Sequence, residues 1–168
     1  MDSSYIMPFV RSVQNVFGTM LQLPVQTDQP YAKTNGQPSY DVSGIIGMNG
    51  DVDGTVALSF DTATAERVVS LLTGMDLEYT HEDFADSVGE LVNMIAGGAK
   101  AQFEGHSVNI SCPSVILGQQ HKVFARKDAC HIAIPCQCDC GEFVVEVSIR
   151  SAQSASGEAQ AGAAAQQA

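Results

Sequence analysis

The chain has 168 residues, 45% of them hydrophobic and 16% charged, a composition typical of one packed globular domain. Its 19 acidic and 8 basic residues give a formal net charge of −11, a surface that repels phosphate backbones and anionic lipid head groups, so we expect no nucleic acid and no membrane partner. The beginning of the sequence lacks the pattern of a secretion signal and no apolar run reaches the length of a membrane span, so we expect a cytoplasmic location.

The first half of the chain predicts two helices around a β-hairpin. Residues 4–20 carry apolar side chains at helical spacing, with Pro8 early enough to be tolerated in the first turn. Residues 24–40 contain three prolines and predict a strand-like excursion and a loop. The runs DVSGIIGM and GTVALSF flank NGDVDG and predict a hairpin. Asp61 is suited to begin a second helix, and Gly74 is suited to the left-handed conformation at its end.

The second half predicts one further helix followed by strands. Residues 85–100, ADSVGELVNMIAGGAK, have the apolar spacing of a helix. Three strand-like runs follow, namely SVNISCPSVIL, a longer run through ACHIAIPC, and EFVVEVSIR. Strands linked mostly by hairpins favour an α+β fold, a mostly antiparallel sheet with helices packed on it. Residues 151–168 have no aromatic or large aliphatic side chain and predict a disordered tail rich in Ala and Gln.

The helix at residues 85–100 carries residues that disfavour helices, Asn93 in its middle and Gly97-Gly98 a turn later, and Asn93 and Gly97 lie on its polar side. Asn93 and Gly97 each cost roughly 0.5–1 kcal/mol relative to Ala in a helix interior. At about 100° per residue, a polar stripe runs along the side opposite the apolar one. Its members are Asp86, Glu90, Asn93, Gly97 and Lys100. Amphipathic helices commonly present such a stripe to solvent alone, but Gly97 would also let another surface approach closely.

The residues of this stripe resemble the signature helix of the CheC/CheX/FliY family of chemotaxis phosphatases. The family motif is Glu-x-x-Asn, preceded four residues earlier by Asp or Ser, and Asp86, Glu90 and Asn93 match it. The run SYDVSGIIGMNGDVDGTVALSF resembles the early hairpin of the family, and NISCPSVILG, which contains Pro113, resembles the strand after the signature helix. The resemblance implies that residues 1–150 form one CheX-like phosphatase domain.

Within this family, the chain is most similar to the CheX type. CheX members carry one motif, whereas CheC members carry two on related helices. The segment Ser12-Val-Gln-Asn15 in the first helix has the asparagine spacing but no acid, so only one motif is complete. The resemblance to CheX also implies a homodimer.

The resemblance implies a hydrolase that removes the phosphoryl group from the aspartyl phosphate of a CheY-like receiver in chemotaxis-type two-component signalling. Asn93 would orient the attacking water, because an amide can hydrogen-bond water without repelling the phosphoryl group. Glu90 would pair with the active-site lysine of the receiver, and Asp86 and Gly97 would contact the partner. The receiver would supply Mg²⁺, so no cofactor of the chain's own is expected. The alternative is a non-catalytic module that binds a receiver or a flagellar switch component; the presence of both Glu90 and Asn93 favours catalysis.

A different phosphatase signature occurs at residues 51–55, where DVDGT matches the Asp-x-Asp-Gly-Thr motif of haloacid-dehalogenase-like enzymes. In those enzymes the motif ends a buried parallel strand and opens into a Rossmann-like domain. Here Asn-Gly precedes it and an alternating strand follows at once. The motif is therefore interpreted as a hairpin turn.

The cysteines and histidines, which commonly bind transition metals, do not have the spacing of metal ligands. Cysteines two residues apart point to one face of a strand, whereas structural zinc sites usually take C-x₂₋₄-C pairs from two places. The late cysteines are therefore interpreted as small core thiols, apart from Cys140 in a turn. These are Cys130, Cys136, Cys138 and Cys140. The histidines lack His-x-x-x-His pairing and are interpreted as surface or loop residues; they are His81, His106, His121 and His131.

Overall fold

One antiparallel sheet and three helices make up the part of the chain that a computed structural model describes, residues 3–34 and 40–150. A short 3₁₀ turn, Ser3–Tyr5, precedes the helices α1 (Met7–Met20), α2 (Thr62–Thr73) and α3 (Glu82–Lys100). The strands are β1 (Gln26–Thr27), β2 (Tyr31–Ala32), β3 (Val42–Gly50), β4 (Gly54–Phe60), β5 (Val108–Ile110), β6 (Ser114–Leu117), β7 (Ala129–Cys138) and β8 (Gly141–Arg150). The predicted α+β class is confirmed, while the predicted tail, residues 151–168, lies outside the described residues.

The sheet has the order β1-β7-β8-β4-β3-β5, with β2 also paired to β7 and β6 also paired to β3. Every recorded strand pair is antiparallel. Helix α3 packs on β3 so closely that a Cβ at Gly44 would lie 2.9 Å from Cγ1 of Val92. The described part of the chain contains no helix with the length and apolar character needed to cross a membrane.

The residues predicted to begin and end the first two helices lie at those helix ends in the structure. The backbone N–H of Thr64 donates to Oδ1 of Asp61 at 2.7 Å, which caps the first turn of α2. Gly74 ends α2 in the left-handed region, with φ 71. Pro8 lies in the first turn of α1. The helix boundaries therefore follow local chemistry that the sequence displays.

The DVDGT motif forms the turn of the β3–β4 hairpin, as interpreted from the sequence. The backbone N–H of Ser107 donates to Oδ2 of Asp51 at 2.7 Å. Arg150 forms an ion pair with Asp53. Both carboxylates of the motif thus join the hairpin to neighbouring segments of the fold.

The run SVNISCPSVIL, predicted as one strand-like run, is two strands. Residues 111–113 separate β5 from β6 while both strands pair with β3. Proline has no backbone N–H and cannot continue a strand ladder, which explains the interruption at Pro113. The Oγ of Ser111 instead accepts a hydrogen bond from the backbone N–H of Gly47 at 3.0 Å.

The sheet face opposite the helices buries a charged cluster that sequence reasoning missed. Glu146 accepts hydrogen bonds from Nζ of Lys33 at 2.5 Å and from Nε2 of His131 at 2.7 Å. The side chains of all three are at most 8% exposed. His131 was predicted at the surface or in a loop; it lies buried in β7 instead, because Glu146 on the neighbouring strand provides it with a polar partner.

The ionisation of Glu146 depends on this cluster. Burial alone would raise the pKa of Glu146, but the hydrogen bonds from His131 and Lys33 outweigh burial and hold the pKa below its ordinary value. The carboxylate is therefore stabilised in its charged form within the folded chain.

Candidate functional site

Helix α3 has a buried apolar side and an open polar side, as the sequence predicts. The six apolar positions predicted to face the core are all buried; they are Phe84, Val88, Leu91, Val92, Ile95 and Ala99. On the other side, Asp86, Glu90 and Lys100 are exposed, while Asn93 and Gly97 are partly exposed. The polar stripe therefore faces outward along the whole helix.

The two ends of α3 favour a well-formed helix. Nδ1 of His81 accepts a hydrogen bond from the backbone N–H of Asp83 at 3.2 Å and so caps the first turn. Glu82 and Asp83 lie in the first turn and Lys100 lies in the last, which is the charge arrangement that the helix dipole favours. The stripe is thus carried by a regular element of 19 residues rather than by a loop.

The two adjacent glycines of α3 have different surroundings. A Cβ at Gly98 would lie 2.4 Å from Oγ of Ser12, so Gly98 allows α1 to approach α3. That Oγ donates to the backbone carbonyl of Ile95 at 2.7 Å and is buried, so it has little freedom to move away. A Cβ at Gly97 would have no atom of residues 3–34 and 40–150 within 4 Å. The fold requires glycine at 98 but not at 97.

We expect opposite effects on stability from the same substitution at these two neighbours. Gly98→Ala should lower the free energy of unfolding by about 1–3 kcal/mol, because the new methyl group overpacks the contact with Ser12. Gly97→Ala should raise it by roughly 0.5–1 kcal/mol, because alanine favours the helix and meets no obstacle. Urea unfolding of both variants measures the two effects, and shifts of the same sign would contradict this account of the helix.

Glu90 and Asn93 are free to act on another molecule. They lie three residues apart on one face of α3, about 4.5 Å along the helix axis. Within residues 3–34 and 40–150, neither side chain has a hydrogen bond or an ion pair. A carboxylate can attract a cation, and an amide can both donate to and accept from a water molecule. The pair therefore offers two unused polar functions side by side.

The stripe is bounded by different surfaces on its two sides. On one side Pro113 packs against α3, because a Cβ at Gly89 would lie 3.3 Å from its Cγ. On the other side is an open groove between the end of α2 and the first half of α3, called here the α2–α3 groove. Its lining residues are Leu72, Thr73, Met75, Leu77, Asp83, Asp86, Ser87 and Glu90. Sequence reasoning did not predict this groove.

The incomplete motif in α1 does not form a second site. Ser12 is buried and its Oγ donates to the backbone carbonyl of Ile95. Asn15 is exposed on α1. Because the position corresponding to the acid points into the α1–α3 contact, the two residues do not form a matching pair on one open face.

The cysteines have structural surroundings, with one difference from the prediction. Cys136 is buried as predicted, and burial raises the pKa of its thiol to about 12, so the thiol stays protonated. Cys140 in the turn is also buried, and burial raises its pKa too. Cys130 was predicted as a core thiol but is exposed, as the second residue of β7 at the end of the strand. Among the described residues, no group of three or more His, Cys, Asp or Glu side chains is placed to hold a metal ion.

The open stripe lies on the convex surface of a helix. Small-molecule sites are usually concave and enclose most of their ligand. A protruding helix that carries a free amide and a free carboxylate is suited to enter a cavity of another macromolecule. The geometry thus favours a protein partner whose own site supplies the concave half.

Comparisons with known proteins agree with the sequence motif. The model of the family described as chemotaxis phosphatase CheX matches residues 42–137, which include Glu90 and Asn93. The protein named CheY-P phosphatase CheX from Thermotoga maritima is 29% identical over 126 residues, which cover 73% of this chain and 81% of that protein. The crystal structure of a chemotaxis protein CheX from Desulfovibrio desulfuricans has a TM-score of 0.81 and 34% identity, and the match covers 87% of this chain and 99% of that chain.

A further solved structure holds a relative together with a partner. It is the CheX–CheY–BeF₃–Mg²⁺ complex from Borrelia burgdorferi, with a TM-score of 0.74 and 26% identity over 88% of this chain and 98% of that chain. These likenesses confirm both the family resemblance and the CheC/CheX-like fold that the sequence predicts.

Proposed function

This chain belongs to the CheX family of chemotaxis phosphatases, and we propose that it hydrolyses the aspartyl phosphate of a CheY-like receiver in chemotaxis-type two-component signalling. The observation that carries the proposal is the placement of Glu90 and Asn93 on the open side of α3, where neither side chain has a hydrogen bond or an ion pair with any residue that the structure describes. The relative from Thermotoga maritima is named a CheY-P phosphatase, and the relative from Borrelia burgdorferi forms a complex with CheY.

Asn93 is proposed to position the attacking water. Hydrolysis of an acyl phosphate needs a water molecule in line with the leaving oxygen, together with compensation of charge on the phosphoryl oxygens. The Asn93 amide oxygen can accept a hydrogen bond from that water, and the amide carries no negative charge that would repel the phosphoryl group. Its place on a capped helix fixes the amide relative to a partner that docks on α3.

The receiver is proposed to be aligned on α3, relative to Asn93, by contacts with Glu90, Asp86 and Gly97. Glu90 would form an ion pair with the active-site lysine of the receiver, one helical turn from Asn93. Asp86, exposed one turn further along, would contact the receiver beside it. The open space around Gly97 would let the receiver surface approach the helix backbone.

The metal in this proposal belongs to the receiver. The complex from Borrelia burgdorferi contains Mg²⁺, and such an ion would neutralise charge on the phosphoryl oxygens when the receiver is bound. The chain itself is proposed to contribute the amide and the carboxylates and no cofactor of its own. The family resemblance also supports a homodimer and a cytoplasmic location as parts of the same proposal.

The proposal is tested by phosphate release from a receiver. A CheY-like receiver from the same genome is phosphorylated in the presence of Mg²⁺, and inorganic phosphate is followed with and without this protein. We expect catalytic acceleration, with many receivers turned over by each molecule of the chain. Stoichiometric binding without acceleration would identify the chain as a non-catalytic module that docks a receiver or a flagellar switch component.

A further inference from the structure

We propose that the α2–α3 groove receives a long cationic side chain of the receiver, a lysine or arginine distinct from the active-site lysine that Glu90 would bind. This inference rests on the proposed function and adds a second point of contact to it. The groove has a volume of about 530 Å³ and shares Glu90 and Asp86 with the polar stripe. A receiver docked on Asn93 would therefore lie against the groove as well.

One wall of the groove is apolar and comes from the end of α2. Gly74 ends that helix in the left-handed region, and the chain turns so that Met75 and Leu77 line the groove beside Leu72. The Oγ1 of Thr73 accepts a hydrogen bond from the backbone N–H of Met75 at 3.2 Å and so supports the turn. Met75 is 52% exposed, which leaves apolar surface available to a partner.

The opposite wall is acidic and comes from α3. Asp83, Asp86 and Glu90 all line the groove. Within the described part of the chain, Asp86 and Glu90 have no ion pair, and Asp83 has only an exposed contact with His81 at 3.7 Å. Among the described residues, no lysine or arginine forms an ion pair with any of these three carboxylates, so their negative charge is not compensated in this way.

The basic residues closest in sequence are directed elsewhere. Arg67 on α2 donates through Nη1 to the backbone carbonyl of Cys140 at 2.9 Å. Lys100 lies ten residues beyond Glu90 on α3, about 15 Å along the helix axis. Neither of these two side chains supplies a cation to the groove, and the complementary cation is inferred to come from a partner.

An apolar wall facing an acidic wall is the environment that lysine and arginine side chains complement. Their methylene stems cover apolar surface while the charged head stays close to carboxylates and water. A purely apolar side chain in the groove would remove water from the carboxylates without giving them a partner, which is unfavourable. An acidic side chain would be repelled by them. The chemistry of the groove therefore points to a long cationic side chain.

The inference is tested by binding, which does not depend on catalysis. The CheY-like receiver from the same genome is activated with BeF₃ and Mg²⁺, and its affinity for the full chain is measured by calorimetry. We expect Asp86→Lys to weaken binding by about tenfold at low ionic strength and by less at high salt, because the charge contact is exposed. Met75→Gln should weaken binding several-fold at either salt concentration, because it removes apolar surface.

Two matched controls separate the groove from general effects. Glu104→Lys makes the same charge change at an exposed residue outside the groove, and Met20→Gln makes the same polar change at a methionine that is 55% exposed on α1. Both should bind the receiver as the wild-type chain does. Circular dichroism and Tm are compared for all variants to establish that they are folded.

Charge reversal on the receiver identifies the occupant. Single Lys→Glu and Arg→Glu variants of the receiver are tested against Asp86→Lys, and one of them should recover most of the lost affinity. Wild-type affinity in Asp86→Lys, or a loss that no receiver variant recovers, overturns the inference. A wild-type chain that binds the receiver but releases no phosphate contradicts the proposed phosphatase activity. The binding measurements on the groove variants can still be interpreted in that case, because they do not depend on catalysis.

Discussion

Asn93→Ala is expected to lower kcat for receiver dephosphorylation by about 10²-fold, the scale of removing one positioned polar group from a reaction centre. The amide would be lost while the helix is retained, because Asn93 is partly exposed and has no hydrogen bond within the described residues. Alanine also favours the helix more than asparagine does, so the free energy of unfolding should not decrease. Steady-state measurement of phosphate release at saturating concentrations of the phosphorylated receiver gives kcat.

Asn15→Ala is the matched control for this loss. Asn15 is an exposed asparagine on α1 and belongs to the incomplete motif that begins with the buried Ser12. We expect Asn15→Ala to hydrolyse the receiver at the wild-type rate. An Asn93→Ala variant as fast as wild type would remove Asn93 from the mechanism, and a slow Asn15→Ala variant would indicate that α1 contributes to the site.

The second large effect is expected on stability, at Glu146. Glu146→Ala should lower the free energy of unfolding by about 3 kcal/mol, because it leaves the buried ammonium group of Lys33 and the buried ring of His131 without their shared carboxylate. Glu142→Ala removes an exposed carboxylate from the same strand and should change stability by no more than about 0.5 kcal/mol. Urea unfolding at neutral pH compares the two variants directly.

The stability lost in Glu146→Ala should be largest near neutral pH and smaller in acid. The pKa of Glu146 is lowered in the folded chain relative to its ordinary value of 4.5. The stabilisation is therefore fully present above about pH 4.5 and is lost as the pH falls through the lower folded pKa. The difference between wild type and Glu146→Ala should accordingly shrink in acid, and a difference that grows there would contradict the role of the cluster.

Much of the fold can be predicted from local chemistry. Asp61, Gly74 and the alternating strands of the hairpin act within a few residues of one another, so their patterns are visible in the sequence. The buried cluster could not be found in this way, since Lys33 and Glu146 are 113 residues apart. The pattern of EFVVEVSIR places Glu146 on the face opposite Phe143 and does not show that this face is buried as well.

The candidate site was predictable to a similar extent. The spacing of Glu90 and Asn93 on α3 follows from helix geometry and from the family motif, so their common open face could be predicted. The different roles of Gly97 and Gly98 depend on the approach of α1, which no local pattern reveals. The groove depends on the turn that follows α2 and on its contact with another helix. Features made by one element were therefore predictable, whereas features made between elements were not.

The open space at Gly97 has a consequence for attempts to improve the protein. A laboratory selection for heat resistance should accept Gly97→Ala early, since alanine favours the helix and its Cβ would have no atom of the described segments within 4 Å. The same methyl group would stand where the receiver is proposed to approach. Thermostable descendants would then lose signalling output while remaining well folded, so such a selection needs a parallel screen for receiver turnover.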